Sequence, residues 1–266
     1  MKKPHVLLPT MMLLMTATTA QADLPFMKEL AASQDLPRPV GITAEIYTMT
    51  QDLDVDSLDI DVQGLPPLDN IGSIKVVNDI DFLGSIRLDA WVLPFVNVFA
   101  SLGSLEGTTS LDLGFLSLPA GFPELGKLDF EYDGLSYTFG FTTAYARDTW
   151  FAAATLAYTD NDLDTDGDID SSVSTFTIQS RAGLRFSKAM VYTGINYQDS
   201  QEEHSGLVSL PIPLTQPIPV DVEFSNSDRT NLMVGGSIEL TEGLEAGIEV
   251  GFANREHLLA NLTWRF

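Results

Sequence analysis

From about residue 40 to the last residue, apolar and polar side chains alternate with period two in one segment after another. A period of two gives a strand one greasy face and one wet face, and it fits no helix. In 135–145, Leu135, Tyr137, Phe139, Phe141, Thr143 and Tyr145 share one face, and Ser136, Thr138, Gly140, Thr142 and Ala144 share the other. In 174–186, Phe176, Ile178, Ala182, Leu184 and Phe186 stand opposite Thr175, Thr177, Gln179, Arg181 and Arg185. At the end of the chain Leu258, Ala260, Leu262, Trp264 and Phe266 alternate with Leu259, Asn261, Thr263 and Arg265. Ten segments read this way, at about 40–50, 82–91, 95–104, 134–146, 150–159, 173–186, 190–198, 229–240, 244–253 and 258–266. Each approaches the roughly 9–11 residues that a tilted strand needs to cross a bilayer. Strands in lipid must pair every backbone group by closing on themselves. The expectation is an all-β fold, an antiparallel transmembrane β-barrel of about ten strands. A twelve-stranded alternative places one more hairpin inside 52–82.

The connections alternate in length. Short ones fall at Leu93-Pro94, Arg147-Asp148-Thr149, Ser187-Lys188-Ala189 and Thr241-Glu242-Gly243, and long ones at about 51–81, 105–133, 160–172 and 199–228. The last hairpin, around Asn254 to His257, is the one short connection on the long-loop side. Short periplasmic turns and long outer loops are expected of such barrels, and an even strand count puts both ends in the periplasm.

Residues 1–22 begin with Lys2 and Lys3, continue through a Leu- and Met-rich stretch and end at Ala20-Gln21-Ala22. That is the pattern of a secretory signal peptide cut before Asp23. Residues 23–39 then form an N-terminal tail or small plug, with a short helix over 25–33, and residues 40–266 form the barrel. Past residue 22 no apolar run is long enough for a helix to cross a membrane. The chain has no cysteine, which excludes disulfides, thiol chemistry and a lipid anchor on a cysteine.

The chain carries 14 Lys and Arg against 37 Asp and Glu. That balance excludes a protein that grips nucleic acid through phosphates. The four long connections hold 26 of the acids and two bases, Lys75 and Lys127. The remainder is nearly neutral, so the outer face is expected to be intensely acidic and to attract cations. On the inward face of the strands the alternation places Glu45, Asp89, Glu239, Glu245 and Glu249 with Arg87, Arg181, Arg185, Arg229 and Arg265. A barrel of about ten strands is narrow, and unpaired buried ions are costly. The expected interior is a salt-bridge network rather than a wide water pore, with a small selectivity filter as the sharper alternative.

Asp162, Asp164, Asp166, Gly167 and Asp168 fit the first half of a D-x-D-x-D-G calcium loop. Val173 stands where such a loop needs its bidentate Glu, so the segment is a weak calcium candidate beside a plain solvated acidic loop. No other cofactor is indicated. The connections 105–133 and 199–228 carry Leu111, Leu113, Phe115, Leu116, Leu118, Phe122 and Leu125, then Leu207, Val208, Leu210, Ile212, Leu214, Ile218 and Val220. Apolar surface of this kind marks a binding site or a membrane contact. Beyond residue 22 the only histidines are His204 and His257. His204 lies on a long connection with Ser205 adjacent, pointing the other way, so no hydrolase constellation is identified and no enzyme is expected.

The terminal pattern Trp264-Arg265-Phe266 resembles the assembly signal of bacterial outer-membrane β-barrels. The resemblance implies an outer-membrane location, contact with its lipid and lipopolysaccharide, and the barrel assembly machinery as a partner through Phe266. The stretch 82–266 resembles an uncharacterised family of proteobacterial outer-membrane barrels. The residues that carry this are WVLPFVNVF from Trp91 to Phe99, YTDNDLD at 158–164, SRAGLRF at 180–186, YQD at 197–199 and EVGFANREHLLANLTWRF at 249–266. A looser likeness is to hydrophobic-compound transporters of the fatty-acid-transporter type, whose barrels are larger. The functional expectation is passage or capture of a small apolar or cationic molecule. The alternative is a structural or surface-interaction protein whose acidic loops bind divalent cations or lipopolysaccharide.

Overall fold

The computed structural model describes residues 24–31, 38–60, 74–112, 127–165, 168–208 and 218–266. The signal-peptide reading of 1–22 lies outside them. Among the described residues eleven antiparallel strands form one closed sheet: β1 (Val40–Ile60), β2 (Lys75–Leu93), β3 (Val96–Asp112), β4 (Lys127–Ala146), β5 (Trp150–Thr165), β6 (Asp168–Arg185), β7 (Ala189–Val208), β8 (Ile218–Asn226), β9 (Thr230–Thr241), β10 (Leu244–Phe252) and β11 (Arg255–Arg265). The ring closes between first and last strands, from Gly41 opposite Arg265 to Gln51 opposite Arg255. The four short turns fall where the alternation breaks. In the turn between β9 and β10, Gly243 takes a φ of 82°, a left-handed conformation that glycine adopts without a Cβ penalty.

Strands β1 to β7 run 16 to 21 residues each. At about 3.3 Å per residue and about 40° of tilt, a 20-residue strand rises roughly 50 Å, twice the roughly 25 Å apolar band of such barrels. Much of what reads as long loops in the sequence is therefore strand standing above the membrane. The segments 52–60, 75–82, 105–112, 127–133, 160–165, 199–208 and 218–226 all belong to strands. The acids there mislead because they alternate too: Asp52, Asp54 and Asp56 are exposed while Leu53 and Val55 between them, and Gln51 before them, are buried.

Each long strand inverts its polarity partway up. On β4 the outward side chains Tyr145, Phe141, Phe139, Tyr137 and Leu135 are exposed and apolar, whereas the next outward ones, Asp133, Glu131 and Asp129, are acids. The inward face changes the opposite way, from Thr142, Thr138 and Ser136 to Tyr132 and Phe130. On β5, Trp150, Leu156 and Tyr158 give way outward to Asp160, Asp162 and Asp164 as Leu163 becomes buried within. The lower barrel is arranged for lipid, greasy outside and polar inside. The upper barrel is arranged for water, acid outside and oil inside. On β2 one extra residue, Asp81, bulges out between Ile80 and Phe82 in the pairings with β1 and β3. The bulge shifts the parity, so that Asn78 above and Leu83 below both turn inward.

The strand count also changes with height. β7 pairs with β9 from Ala189 to Tyr197 and then with β8 from Gln201 to Val208. β1 pairs with β11 up to Gln51 and then with β8 from Leu53 to Ile60. β8 and β9 are thus two halves of one bent strand that passes over the β10–β11 hairpin. Ten strands form the ring at membrane level and eight form it above, shortening the perimeter by about 10 Å at 4.8 Å per strand. The bend is held by the Arg229 carbonyl accepting from Gln198 N and by the Asp54 carboxylate accepting from Ser227 Oγ at 2.6 Å. Asn231 Oδ1 accepts the amides of Ala253, Asn254 and Arg255, which caps the hairpin tip beneath.

At the short-turn end, Lys28–Ala31 forms one 3-10 turn, and the Phe26 amide donates to Val92 O at 2.9 Å. Phe26 and Met27 are exposed there, so among the described residues this segment sits at the rim.

Candidate functional site, the barrel interior

At membrane level, two interior ion pairs bridge strands that are not neighbours. Arg181 on β6 places Nη2 2.9 Å and Nε 3.0 Å from Glu249 Oε2 on β10, across the lumen from it. Gln179 Nε2 donates to Glu249 Oε1 at 3.0 Å, the Tyr192 hydroxyl donates to Oε2 at 2.9 Å, and His257 Nε2 lies 3.4 Å from Oε1. On the other side, Arg265 Nη1 sits 2.9 Å from Asp89 Oδ2, which also accepts from Asn97 Nδ2 at 2.6 Å. Arg87 lies 4.0 Å from Glu45, with its guanidinium stacked 3.9 Å from the centre of the Phe99 ring. Four partners on the one Glu249 carboxylate, drawn from β6, β7 and β11, make a polar plug at this level.

Not every charge on the inward parity joins it. Glu245 is half-buried two positions below Glu249 on the same face. Arg185 and Glu239 stand exposed near the short turns, where the rim opens to water, and Arg185 Nη1 donates to Arg147 O at 3.5 Å. Arg229 is not an inward base. It lies on the bend between β8 and β9, half exposed, with Nε 3.2 Å from Asp199 on the outer surface. Strand parity does not carry through a bend, and that is why the alternation misplaces it.

Above the plug the interior is apolar. Leu53, Val55, Ile74, Val76, Leu111, Val222 and Phe224 form one buried cluster, with Leu58 and Phe130 against it. Leu105, Tyr132 and Leu163 form a second, with Leu83 and Val173. Leu111, one of the greasy loop residues of the sequence, is thus a core side chain. Residues 113–126 and 209–217 lie outside the described residues, and so do the side chains of Leu207, Val208, Ile218 and Val220.

A few polar groups are embedded in this apolar interior. Asn78 Nδ2 donates to Thr109 Oγ1 at 2.9 Å and to Tyr132 Oη at 2.8 Å. Burial, and then the negative charge of Glu202, push the Tyr132 hydroxyl above its ordinary pKa, so it stays protonated. His204 Nδ1 lies 2.7 Å from Ser171 Oγ, and its Nε2 is 3.8 Å from Glu202 Oε2. The rings of Phe130 and Phe224 flank the imidazole, at 6.5 Å and 5.6 Å between centroids. Sequence reasoning missed this group by treating 199–228 as a loop. On a strand, Glu202 and His204 at i and i+2 share a face, and Ser171 is the cross-strand partner of His204. The group has the members of a nucleophilic relay. It lies in continuous ladders that link Ser171 to Leu163 and to His204, however, where the backbone amides bond strand to strand. An acyl-transfer site needs free donors aimed at a developing oxyanion.

The calcium candidate has a different form from the turn its spacing suggests. Asp162 and Asp164 lie in extended β5, exposed on either side of buried Leu163. Asp166 is outside the described residues and Asp168 opens β6. Among the described residues no three His, Cys, Asp or Glu side chains gather closely enough to hold a metal ion.

No family model matches the chain, and no curated protein does. Solved structures do. The outer membrane protein OprG from Pseudomonas aeruginosa is 12% identical, with a TM-score of 0.50, over 87% of this chain and 98% of that one. The outer membrane protease OmpT from Escherichia coli is 7% identical, with a TM-score of 0.51, over 88% and 99%. Identities this low speak to the fold alone. Together with the exposed apolar band around the lower barrel, they establish that the chain has the fold of a bacterial outer-membrane β-barrel protein.

Proposed function

We propose that the protein captures a small apolar or cationic molecule at the outer face of the outer membrane, with the polar plug controlling its further passage. The observation that carries this reading is the inversion of the interior. The lumen is polar and cross-linked at membrane level but apolar above it, on the side that faces the medium. An apolar interior behind an acidic outer wall suits a molecule that leaves water for oil, and the wall concentrates cations near the mouth. The plug argues against a standing aqueous pore. The test is accumulation of labelled apolar and cationic aromatic compounds by cells with and without the gene. Slower uptake of at least one compound in the deletion strain supports the reading, and unchanged uptake of every compound overturns it.

A second reading, a surface-interaction protein, is favoured by one observation. Glu106 stands opposite Asp133, and Asp133 opposite Asp164, all three exposed, which makes an acidic row across β3 to β5. Like charges directly opposite one another destabilise a sheet. Such a row gains from divalent cations, which bridge it to lipopolysaccharide phosphates. On this reading the deletion strain has a leakier envelope, and the difference vanishes in chelator.

A further inference from the structure

We infer that Arg255 anchors the carboxylate of a small, mostly apolar acid held inside the upper barrel, an inference that rests on the capture reading above and revises its ligand to an apolar body with an anionic head. Arg255 is only 2% exposed. Its Nη1 donates to Gln51 Oε1 at 3.3 Å, but its Nε and Nη2 are buried without a hydrogen-bond partner. Three other inward arginines have an acid nearby, although Arg87 Nε is also buried without a hydrogen-bond partner. Arg87, Arg181 and Arg265 each lie within 4.0 Å of a carboxylate, with side chains about a quarter exposed. Of these four inward arginines the most deeply buried is thus the one with no carboxylate within 4.0 Å.

The two free donors are the informative pair. In a planar guanidinium, Nε–H and one Nη–H point the same way along one edge, the edge that takes a carboxylate through two parallel hydrogen bonds. The position fits as well. β1 presents Gln51, Leu53 and Val55 at successive inward places. Gln51 is opposite Arg255, Leu53 is opposite Asn226, and Val55 is opposite Phe224. Leu53, Val55 and Phe224 belong to the apolar cluster. Arg255 therefore lies one rung below the oil, at the floor of the upper barrel. A ligand that answers both features has a two-oxygen anionic head and an apolar tail. An unpaired buried cation weakens a fold, and a bound carboxylate removes that weakness. The acids of the outer wall oppose the ligand only on approach, where salt screens them over about 8 Å.

The test uses the full chain refolded in phosphatidylcholine nanodiscs and titrated in a calorimeter with 4-phenylbutyrate, 4-phenylbutanol and 4-phenylbutylamine. We expect the acid to bind about tenfold to a hundredfold more tightly than the alcohol, the range for hydrogen bonds to a charged group. Arg255→Met should abolish that preference and unfold at higher urea than wild type, because it removes an unpaired charge. Arg255→Lys should keep a weaker preference. Equal affinity of wild type for acid and alcohol overturns the anchor but not capture. Binding of none of the three overturns both. An Arg255→Met barrel that keeps the preference, or unfolds at lower urea, also overturns the anchor, since Arg255 is then a structural residue.

Discussion

Replacing Glu249 with Ala should loosen the plug and destabilise the barrel by an amount the geometry allows one to estimate. Its side chain is 3% exposed, and it accepts from Gln179, Arg181 and Tyr192 with His257 alongside. Truncation leaves the Arg181 guanidinium unpaired in the lumen and strips the Tyr192 hydroxyl of its acceptor. Breaking a buried ion pair from one side costs about 3–5 kcal/mol. At about 4 kcal/mol, and a denaturant slope of about 2 kcal/mol/M, the urea midpoint in bilayers falls by about 2 M. Removing both charges at once, as Arg181→Met with Glu249→Met, leaves no orphan ion. It should cost far less than the two single changes added together. Tryptophan fluorescence during urea unfolding reads the midpoint, and planar-bilayer recording should show new discrete openings in Glu249→Ala. A midpoint within about 0.3 M of wild type, or a double variant whose loss equals the sum of the singles, refutes the plug as a coupled unit.

Three further outcomes are expected. Asp133→Asn relieves the acidic row and should stabilise the barrel by about 0.2–1 kcal/mol at low ionic strength, a gain that fades as salt is added and is checked by unfolding at two salt concentrations. Phe224→Ala empties the middle of the upper core and should cost about 3–5 kcal/mol, while membrane insertion, measured by flotation with vesicles, stays unchanged because no lipid-facing residue is altered. Deleting Phe266 removes the two hydrogen bonds that join it to Val40 at the seam and the proposed assembly signal, so the protein recovered in outer-membrane fractions should fall, as read by immunoblot.

The membrane half of the fold is legible in the sequence because lipid and lumen impose opposite demands on alternate residues. Tyr137, Phe139 and Phe141 can face only one way. The upper half obeys the same period with the signs reversed, and there composition misleads. Asp52-Leu53-Asp54-Val55-Asp56 alternates as cleanly as any lipid-facing strand, but its charge suggests solvent, and solvent suggests loop. The bulge at Asp81 leaves no mark that a period of two reveals, since it only moves the parity by one. The inward Glu202 and His204 become visible once their segment is read as strand. Arg255 falls in what the sequence reads as the last hairpin connection, and the lack of an acid beside it depends on which strands meet across the lumen.

The bent β8–β9 strand has a consequence for how such a barrel closes. The upper ring is sealed between β1 and β8, by pairs such as Leu53 with Asn226, while the lower ring is sealed between β1 and β11. One molecule therefore carries two seams, and they draw on different parts of the chain. Residues through 226 contain every strand of the upper ring, so that ring can complete its circle before the terminal hairpin has found its place. The hairpin then enters as a keystone from below, into a gap whose width is already fixed above it. A mispaired hairpin would leave the water-facing storey whole and the lipid-facing storey open along one side, a defect that lipid would feel and the medium would not.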